Sequence, residues 1–560
     1  MDRRSFLTGS VPPRTQQVAF EPLAAGRTFT GVQPYDGIWG RSEVLHLLRR
    51  TMFGARPSDL AYFQTKSPAE AVAELLQPTA PFPLPPVKEY NETGAAVPDT
   101  DVAFGATWVN SVNNDGTIQS RRRASLKKWW TGCMLHQDRS IREKMTLFWH
   151  HFFATEMVDV GNGNLYYKHV NLLRTHALGN VKTLVYEISL DPAMLFYLNG
   201  RLNTATAPDE NYARELQELF TLGKENNPNY TEADVQAAAR ILTGWRVNNL
   251  DPAFPAYFTA SRHDSGSKQF SAFYNNRVIA GRTGDNAGVL ELQDLLNMIF
   301  GKAAEVSRHI VKRLYRFFVY SEIDAAAMSN VIEPLALTLR SNNWEIQPVL
   351  QQLFLSEHFF DERNRSAQIK APLDHIIGLC REWNVVFPFA TQVNDAYGMW
   401  NYIMQAAANL QQNIGDPPSV AGWPAYYQIP QYYQLWVNAD TLPKRSQFTD
   451  LMIGNGYTRN GRKIVIDAVS WTQTLSNPSD PNSLVAEAAE RLLGLPLSVA
   501  SREQLKKDFL LSGQDMDYYW TNAWQAWLGN TANTTNFNIV NTRLRGLYKY
   551  FMNLAEYQLC

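Results

Sequence analysis

The sequence predicts an all-α fold, a large multi-helix bundle with long proline-rich loops and few or no short strands. Three observations carry that expectation. Apolar residues recur at helical spacing through most of the chain: in "EVSRHIVKRLYRFF", Val306, Ile310, Leu314 and Phe317 fall at i, i+4, i+8 and i+11, opposite Arg308 and Lys312. Alternating, strand-like runs are scarce. The 560 residues are 45% apolar and 12% aromatic, which supplies core for one large or two medium folding units.

Taken in chain order, residues 1–36 form a tail. "DRRSFLTGS" looks like a twin-arginine export consensus, with Arg3 and Arg4 followed by Phe6 and Leu7. The apolar stretch expected next is replaced by "VPPRTQQVAF", with two prolines and Arg14, so the tail reads as a degenerate signal or as a plain capped segment. The main helical domain is expected over 37–445, and 446–560 as a helical extension packed on it. Besides the helix just described, stripes are drawn at 42–50, 142–153, 210–222, 231–244, 290–300, 345–355, 372–384, 484–493 and 516–528. The strand candidates are "GRKIVIDAV" at 461–469 and a stretch around 270–280. The proline-rich, unpatterned segment 77–101 is expected to be a surface excursion or linker, and the prolines of 415–434 bar a regular helix there. No internal repeat of fixed period is present.

Charge and cysteine content narrow the functional classes. Lys and Arg total 52 against 53 Asp and Glu, and no long basic run occurs, so nucleic acid is not an expected partner. Cys133, Cys380 and Cys560 are an odd number with neither CxxC nor Cys/His ligand spacing, which encodes no disulfide framework and no structural zinc site. No run of about 18 apolar residues occurs, so no transmembrane segment is expected.

Three constellations could carry chemistry. In "PDENYARELQELFTLGKENNPNYTEADVQAAARILTGW", residues 208–245, Pro208 suits a helix first turn and Gly223 the residue past its end, while Thr231 with Asp234 reads as the cap of a second helix. Glu215 and Glu218 then lie at i and i+3, with Arg214 in reach of Glu218 at i+4. Two such carboxylates suit an acid and base pair or a hard cation; the commoner reading of this pattern is an exposed charged face with a helical ion pair. In "SRHDSGSKQF", residues 261–270, Asp264 is placed to orient the His263 imidazole, with Lys268 close by; the alternative is a turn in which Asp264 bonds its own backbone.

The third is "TLFWHHFF", residues 146–153. Consecutive helical residues point about 100° apart, so His150 and His151 cannot share one metal, and the spacing is not HExxH. Glu143 and Thr146 lie on the His150 side and Lys144 on the His151 side; the alternative is a core histidine bonded to a carbonyl or carboxylate. Among aromatics, Trp520, Trp524 and Trp527 at i, i+4 and i+7 form a core stripe. Trp423, Tyr426, Tyr427, Tyr432, Tyr433 and Trp436 crowd a loop expected to face solvent, where rings stack on sugars. There is no Gly-rich phosphate loop, no GxSxG and no CxxCH.

The order of "HLLRRTMFG" (46–54), "REKMTLFWHHFF" (142–153), "DPAMLFYLNG" (191–200), "NYARELQELFTLG" (211–223), "YTEADVQAAARILTGW" (230–245), "RHDSGSK" (262–268) and "PPSVAGWP" (417–424) resembles the bacterial domain-of-unknown-function family 1800, over most of 38–445. The resemblance implies a large helical protein, often exported by the twin-arginine route and often encoded beside a sulfatase-like partner; it implies no known reaction and leaves any cofactor unknown. It places the family's recurrent polar positions on His46, Glu143, His150 or His151, Asn199, Asn211, Arg214, Glu215, Glu218, Asp234, Arg240, His263, Asp264 and Lys268. The missing apolar export segment leaves location open between an exported or periplasmic protein and a cytoplasmic one.

Those blocks are expected either to converge on one cavity or to form a buried polar network that specifies the fold. The first expectation is an envelope-associated hydrolase acting on a glycan or other cell-surface polymer. In it Glu215 and Glu218 are acid and base, His150, His263 and Asp264 assist, and Arg214, Asn211, Lys268, Trp423, Tyr426 and Tyr427 bind. The second is a non-catalytic scaffold or polymer-binding protein. A third is a metalloprotein using one histidine per block with Asp264 or Glu218.

Overall fold

A computed structural model describes residues 19–20, 31–92, 94–223 and 229–560. The export-like arginines Arg3 and Arg4 lie outside the described residues. The protein is 55% helical, and its described strands form three two-stranded antiparallel hairpins: Trp245–Val247 with Ala256–Phe258, Lys268–Gln269 with Val278–Ile279, and Tyr457–Arg459 with Arg462–Ile464. The last two fall where short strands are expected from the sequence. The first does not.

Helical patterning places most of the stripes well. The helix Ala303–Phe318 buries Val306, Ile310, Leu314 and Phe317, as its spacing requires. The helices Arg41–Thr51, Ile346–Phe354, Pro372–Glu382 and Pro481–Leu493 likewise turn their apolar residues inward. Trp520, Trp524 and Trp527 are buried on one side of the helix Tyr518–Gly529, a core stripe. One continuous apolar cluster runs from Val44 to Tyr557 and holds the helices together. Among the described residues no helix is long and apolar enough to cross a membrane.

The helix Gly116–Leu135 shows no stripe in sequence because buried residues occur nearly all around it, Arg122 and Trp130 included. It packs along Val393–Asn409. At Gly132 an added Cβ would come 2.7 Å from the Trp400 ring, so only glycine allows that approach.

Two expectations about loops are refined. Of the two alternatives for 77–101, the surface excursion fits, since most of its described residues are exposed or half-buried, but it is anchored: Asp99 is fully buried and pairs with Arg122 Nε and Nη2 at 3.0 Å, while Lys88 donates to the Asp99 carbonyl at 2.6 Å. Burial raises the Asp99 carboxyl, but the bonds from Arg122 and Tyr90 outweigh it and hold it below its ordinary range. The second is a correction: the aromatic loop is not a solvent-facing platform. Trp423 is 1% exposed and, with Ala371, Ala425 and Trp436, forms a small second core under the loop. Tyr426 and Tyr427 are half-buried. Prolines exclude helix from this stretch but do not exclude burial, because its rings find neighbours across short 3-10 turns.

Candidate functional site

The helix Asn211–Glu218 and the capped helix Glu232–Ile241 form the expected helix, loop and helix. The first stops at Glu218, four residues short of the expected end. Thr231 and Asp234 make the cap reciprocally, and Asp234 also accepts from the Ser271 amide at 2.6 Å and its hydroxyl at 2.7 Å. Glu215 and Glu218 are both half-buried on the first helix. Arg214 spans Glu210 and Glu232 rather than serving the glutamate pair alone: it lies 3.0 Å from Glu210 and donates to Glu232 at 2.9 Å. Asn211 is exposed, and its amide caps onto Asp209 at 2.9 Å.

Next to this pair of helices lies a buried ion network. The Lys268 ammonium, fully buried, donates to Glu291 at 2.6 Å and to the Asp264 carbonyl. His263 Nε2 lies 3.2 Å from the other Glu291 oxygen, and its Nδ1 lies 3.0 Å from the Thr243 carbonyl, so both ring nitrogens face acceptors. The Arg282 amide completes the set, donating to Glu291 at 2.7 Å. Burial raises the Glu291 carboxyl, yet His263 and Lys268 prevail and hold it below its ordinary value.

The expected pairing of His263 with Asp264 is therefore corrected: Glu291 orients the imidazole. Asp264 instead takes the Arg240 guanidinium at 2.6 and 3.0 Å and closes an Asx turn onto the Gly266 amide at 2.9 Å. The Arg240 bond is the main reason its carboxyl sits below the usual range. Glu291 was not a candidate from sequence, although a signal exists. It stands at the centre of the stripe Ala287, Glu291, Leu295 and Met298, all buried, where a lone acid needs a partner.

Helix geometry does separate the two histidines. His150 is fully buried, its Nε2 2.6 Å from the Tyr166 hydroxyl and its ring edge-on to Trp130 at 5.1 Å. Its Nδ1 has no hydrogen-bond partner among the described residues. Tyr166 in turn bonds the carbonyls of Thr155 and Gly415 at 2.8 and 2.9 Å. His151 turns the other way, its Nε2 3.1 Å from the Arg313 guanidinium and its Nδ1 3.3 Å from the Trp423 amide. The neutral ring accepts at one of these nitrogens only. Burial first, then Arg313 and His150, push its pKa well down, and burial does the same for His150. Glu143 and Lys144 are also committed, Glu143 to a bidentate pair with Arg174 at 2.6 and 2.9 Å and Lys144 to Asp374.

A Thr155, His169 and Asp191 chain sits beside this network, with His169 Nε2 2.9 Å from Thr155 Oγ1 and Nδ1 3.0 Å from Asp191. Its order matches a nucleophile, base and acid relay. Thr155 and His169 have no exposed surface, however, and the Asp191 oxygen that holds His169 also caps the helix Pro192–Tyr197 at 2.9 Å.

The signature blocks thus gather into separate networks, those of His150, His169 and Lys268 buried and the Arg214 and Arg240 pairs partly exposed. A cleft with an open mouth lies between Arg50, Lys144, Arg316, Gln368, Tyr426 and Tyr433, and Glu215, Glu218, His150 and His263 do not line it. Among the described residues no group of three or more His, Cys, Asp or Glu is placed to hold a metal ion. The family model described as "Protein of unknown function (DUF1800)" matches residues 46–559. The chain belongs to the DUF1800 family. The DUF1800 match takes in nearly all of the helical core, including the helices after residue 446. No curated protein and no solved structure matches the chain.

Proposed function

We propose that this DUF1800 protein is a non-catalytic scaffold or polymer-binding protein whose signature polar residues specify the fold. One observation carries the reading: His263, Lys268 and Glu291 hold one another in a buried ion network, His263 Nε2 lying 3.2 Å from Glu291 without a hydrogen bond. Arg174 and Glu143, and His169 and Asp191, are likewise buried pairs. A general acid or base must reach the proton it transfers, directly or through one water, and buried pairs that hold each other leave no place for substrate. The ligand on this reading is a glycan or other cell-surface polymer, and the partner is the sulfatase-like protein that the family resemblance implies. The hydrolase alternative, with Glu215 and Glu218 as acid and base, draws no support from the cleft, which they do not line.

The reading is tested by incubating purified protein with insoluble cell-wall polysaccharides and measuring both co-sedimentation and released reducing sugar. Binding without release is expected. Sugar release that disappears in Glu215→Gln or Glu218→Gln at unchanged thermal stability overturns the proposal in favour of the hydrolase.

A further inference from the structure

We propose that the outer face of the hairpin Trp245–Val247 and Ala256–Phe258, with the turn Gly200–Leu202 beside it, binds an acidic polysaccharide: Arg201 and Arg246 take a carboxylate or sulfate substituent and Tyr257 takes the sugar ring. The inference rests on the polymer-binding reading above and gives it a surface, a role that the buried aromatic loop cannot fill. Successive residues of a strand face opposite ways. Trp245, buried, meets Phe258 across the hairpin with ring centroids 5.4 Å apart, so the next pair in register, Arg246 and Tyr257, shares the outer face, where Tyr257 is 47% exposed.

The charge on this face is unbalanced. Arg246 Nη1 donates to the Arg201 carbonyl at 3.1 Å, and the Arg201 guanidinium lies over the Phe196 ring, 4.3 Å from its centroid, so among the described residues neither guanidinium meets a carboxylate. Of the Arg201 nitrogens, Nε is buried without a partner and the two Nη groups are neither buried nor bonded. The acids of this corner are engaged elsewhere. Glu156, Asp159 and Glu215 act, after burial, on the Tyr197 hydroxyl, and Asp251 accepts the Ala253 amide at 2.7 Å in the hairpin turn. What lowers Arg201 is burial and then the Arg246 guanidinium, a like charge. An oxyanion between the two relieves that repulsion, and guanidinium forks can bond its oxygens two at a time.

The exposed ring selects the carrier. A flat aromatic face beside a cation suits a sugar that lays its C–H groups on the ring and turns its charge to the arginines. Leu202, next to Arg201, is also exposed, so a chain can lie along this face and has no cavity to enter. A lipid surface suits it less. Leu250 is 72% exposed at the hairpin turn, but Asn248, Asn249 and Asp251 around it keep that turn out of an acyl layer.

Affinity electrophoresis of the full chain in gels carrying polygalacturonate, dextran sulfate or neutral dextran tests the surface. Retardation by the anionic polymers and none by neutral dextran is expected, weaker at high salt. A stronger effect of polygalacturonate assigns a carboxylate substituent, and a stronger effect of dextran sulfate assigns a sulfate. Arg201→Gln and Arg246→Gln should each weaken binding by about tenfold or more, and Tyr257→Ala by about threefold, at unchanged melting points. Should a variant melt early, hydrogen exchange on the unmodified protein reads the same face: anionic polymer should protect amides within 245–258, and protection confined to other segments overturns the site. Retardation that all three variants retain, or retardation by neutral dextran alone, overturns this inference and leaves the polymer-binding reading in place. Phosphatidylglycerol vesicles that bind through Arg201 and Arg246 while no polysaccharide does make the face a membrane contact and overturn it too. If neither these polymers nor the insoluble cell-wall polysaccharides bind, the polymer-binding reading falls with it.

Discussion

Replacing Glu291 by alanine removes the one carboxylate held between His263 and Lys268. Lys268 and Glu291 have no exposed surface, so the ammonium is left buried with only the Asp264 carbonyl for company. Breaking a buried pair by deleting one partner costs about 3–5 kcal/mol. The entropy of unfolding near 60 °C is about 2.1 cal/mol/K per residue, or about 1.2 kcal/mol/K for a 560-residue chain unfolding as one unit. The midpoint should therefore fall by about 2.5–4 °C, and by more if the cooperative unit is smaller. Calorimetric scanning at pH 7.5 measures it. The double variant Lys268→Met, Glu291→Leu removes both charges and should recover most of the loss, since well-packed apolar replacements of buried pairs are often neutral or better. If Glu291→Ala melts within 1 °C of the parent, or if the double variant is worse than the single one, the network is not what specifies this part of the fold.

Acid should destabilise the protein before its carboxylates titrate. His46, His150, His151 and His375 are fully buried, and burial pushes each well below its ordinary pKa. The unfolded chain binds protons near pH 6.5 while the folded chain does not, so stability present above that pH is lost as pH falls. Each such histidine contributes about 1.4 kcal/mol of loss between pH 7.5 and 5.5, about 5–6 kcal/mol for the four, readable in urea melts; a flat profile there contradicts their burial as neutral rings. Asp99→Ala should cost about 3–5 kcal/mol and open the 77–101 segment to limited proteolysis, because Arg122 is then unpaired; resistance equal to the parent would show that other contacts anchor it. Gly422→Ala should also destabilise. Its Cβ, at φ +88°, would meet the His151 imidazole at 2.2 Å, so a melting point equal to the parent's would refute the close packing of loop and ring.

The fold class was legible because amphipathic helices such as Ala303–Phe318 write their buried face into the spacing. Gly116–Leu135 was not, because a helix buried nearly all round has no polar face to contrast. The hairpin of Trp245–Val247 and Ala256–Phe258 was missed since three-residue strands are too short to show a period of two. For the candidate site, the helix rule that separated His150 from His151 anticipated their different partners. It could not find those partners, because Tyr166 and Arg313 come from other elements, as Glu291 does for His263, and spatial neighbours across elements leave no local pattern. The same reason hid the cleft, whose walls meet only after folding. Asp264 shows the converse hazard: adjacency to His263 suggested a pair, while the nearby Arg240 guanidinium offered the stronger bond.

The most direct test is turnover. Purified parent protein and the Glu215→Gln, Glu218→Gln double variant are compared on a panel of cell-wall polysaccharides, with melting points taken on the same samples. A scaffold predicts no product above background from either protein and equal sedimentation with polymer. Product from the parent that is lost in an equally stable double variant contradicts it.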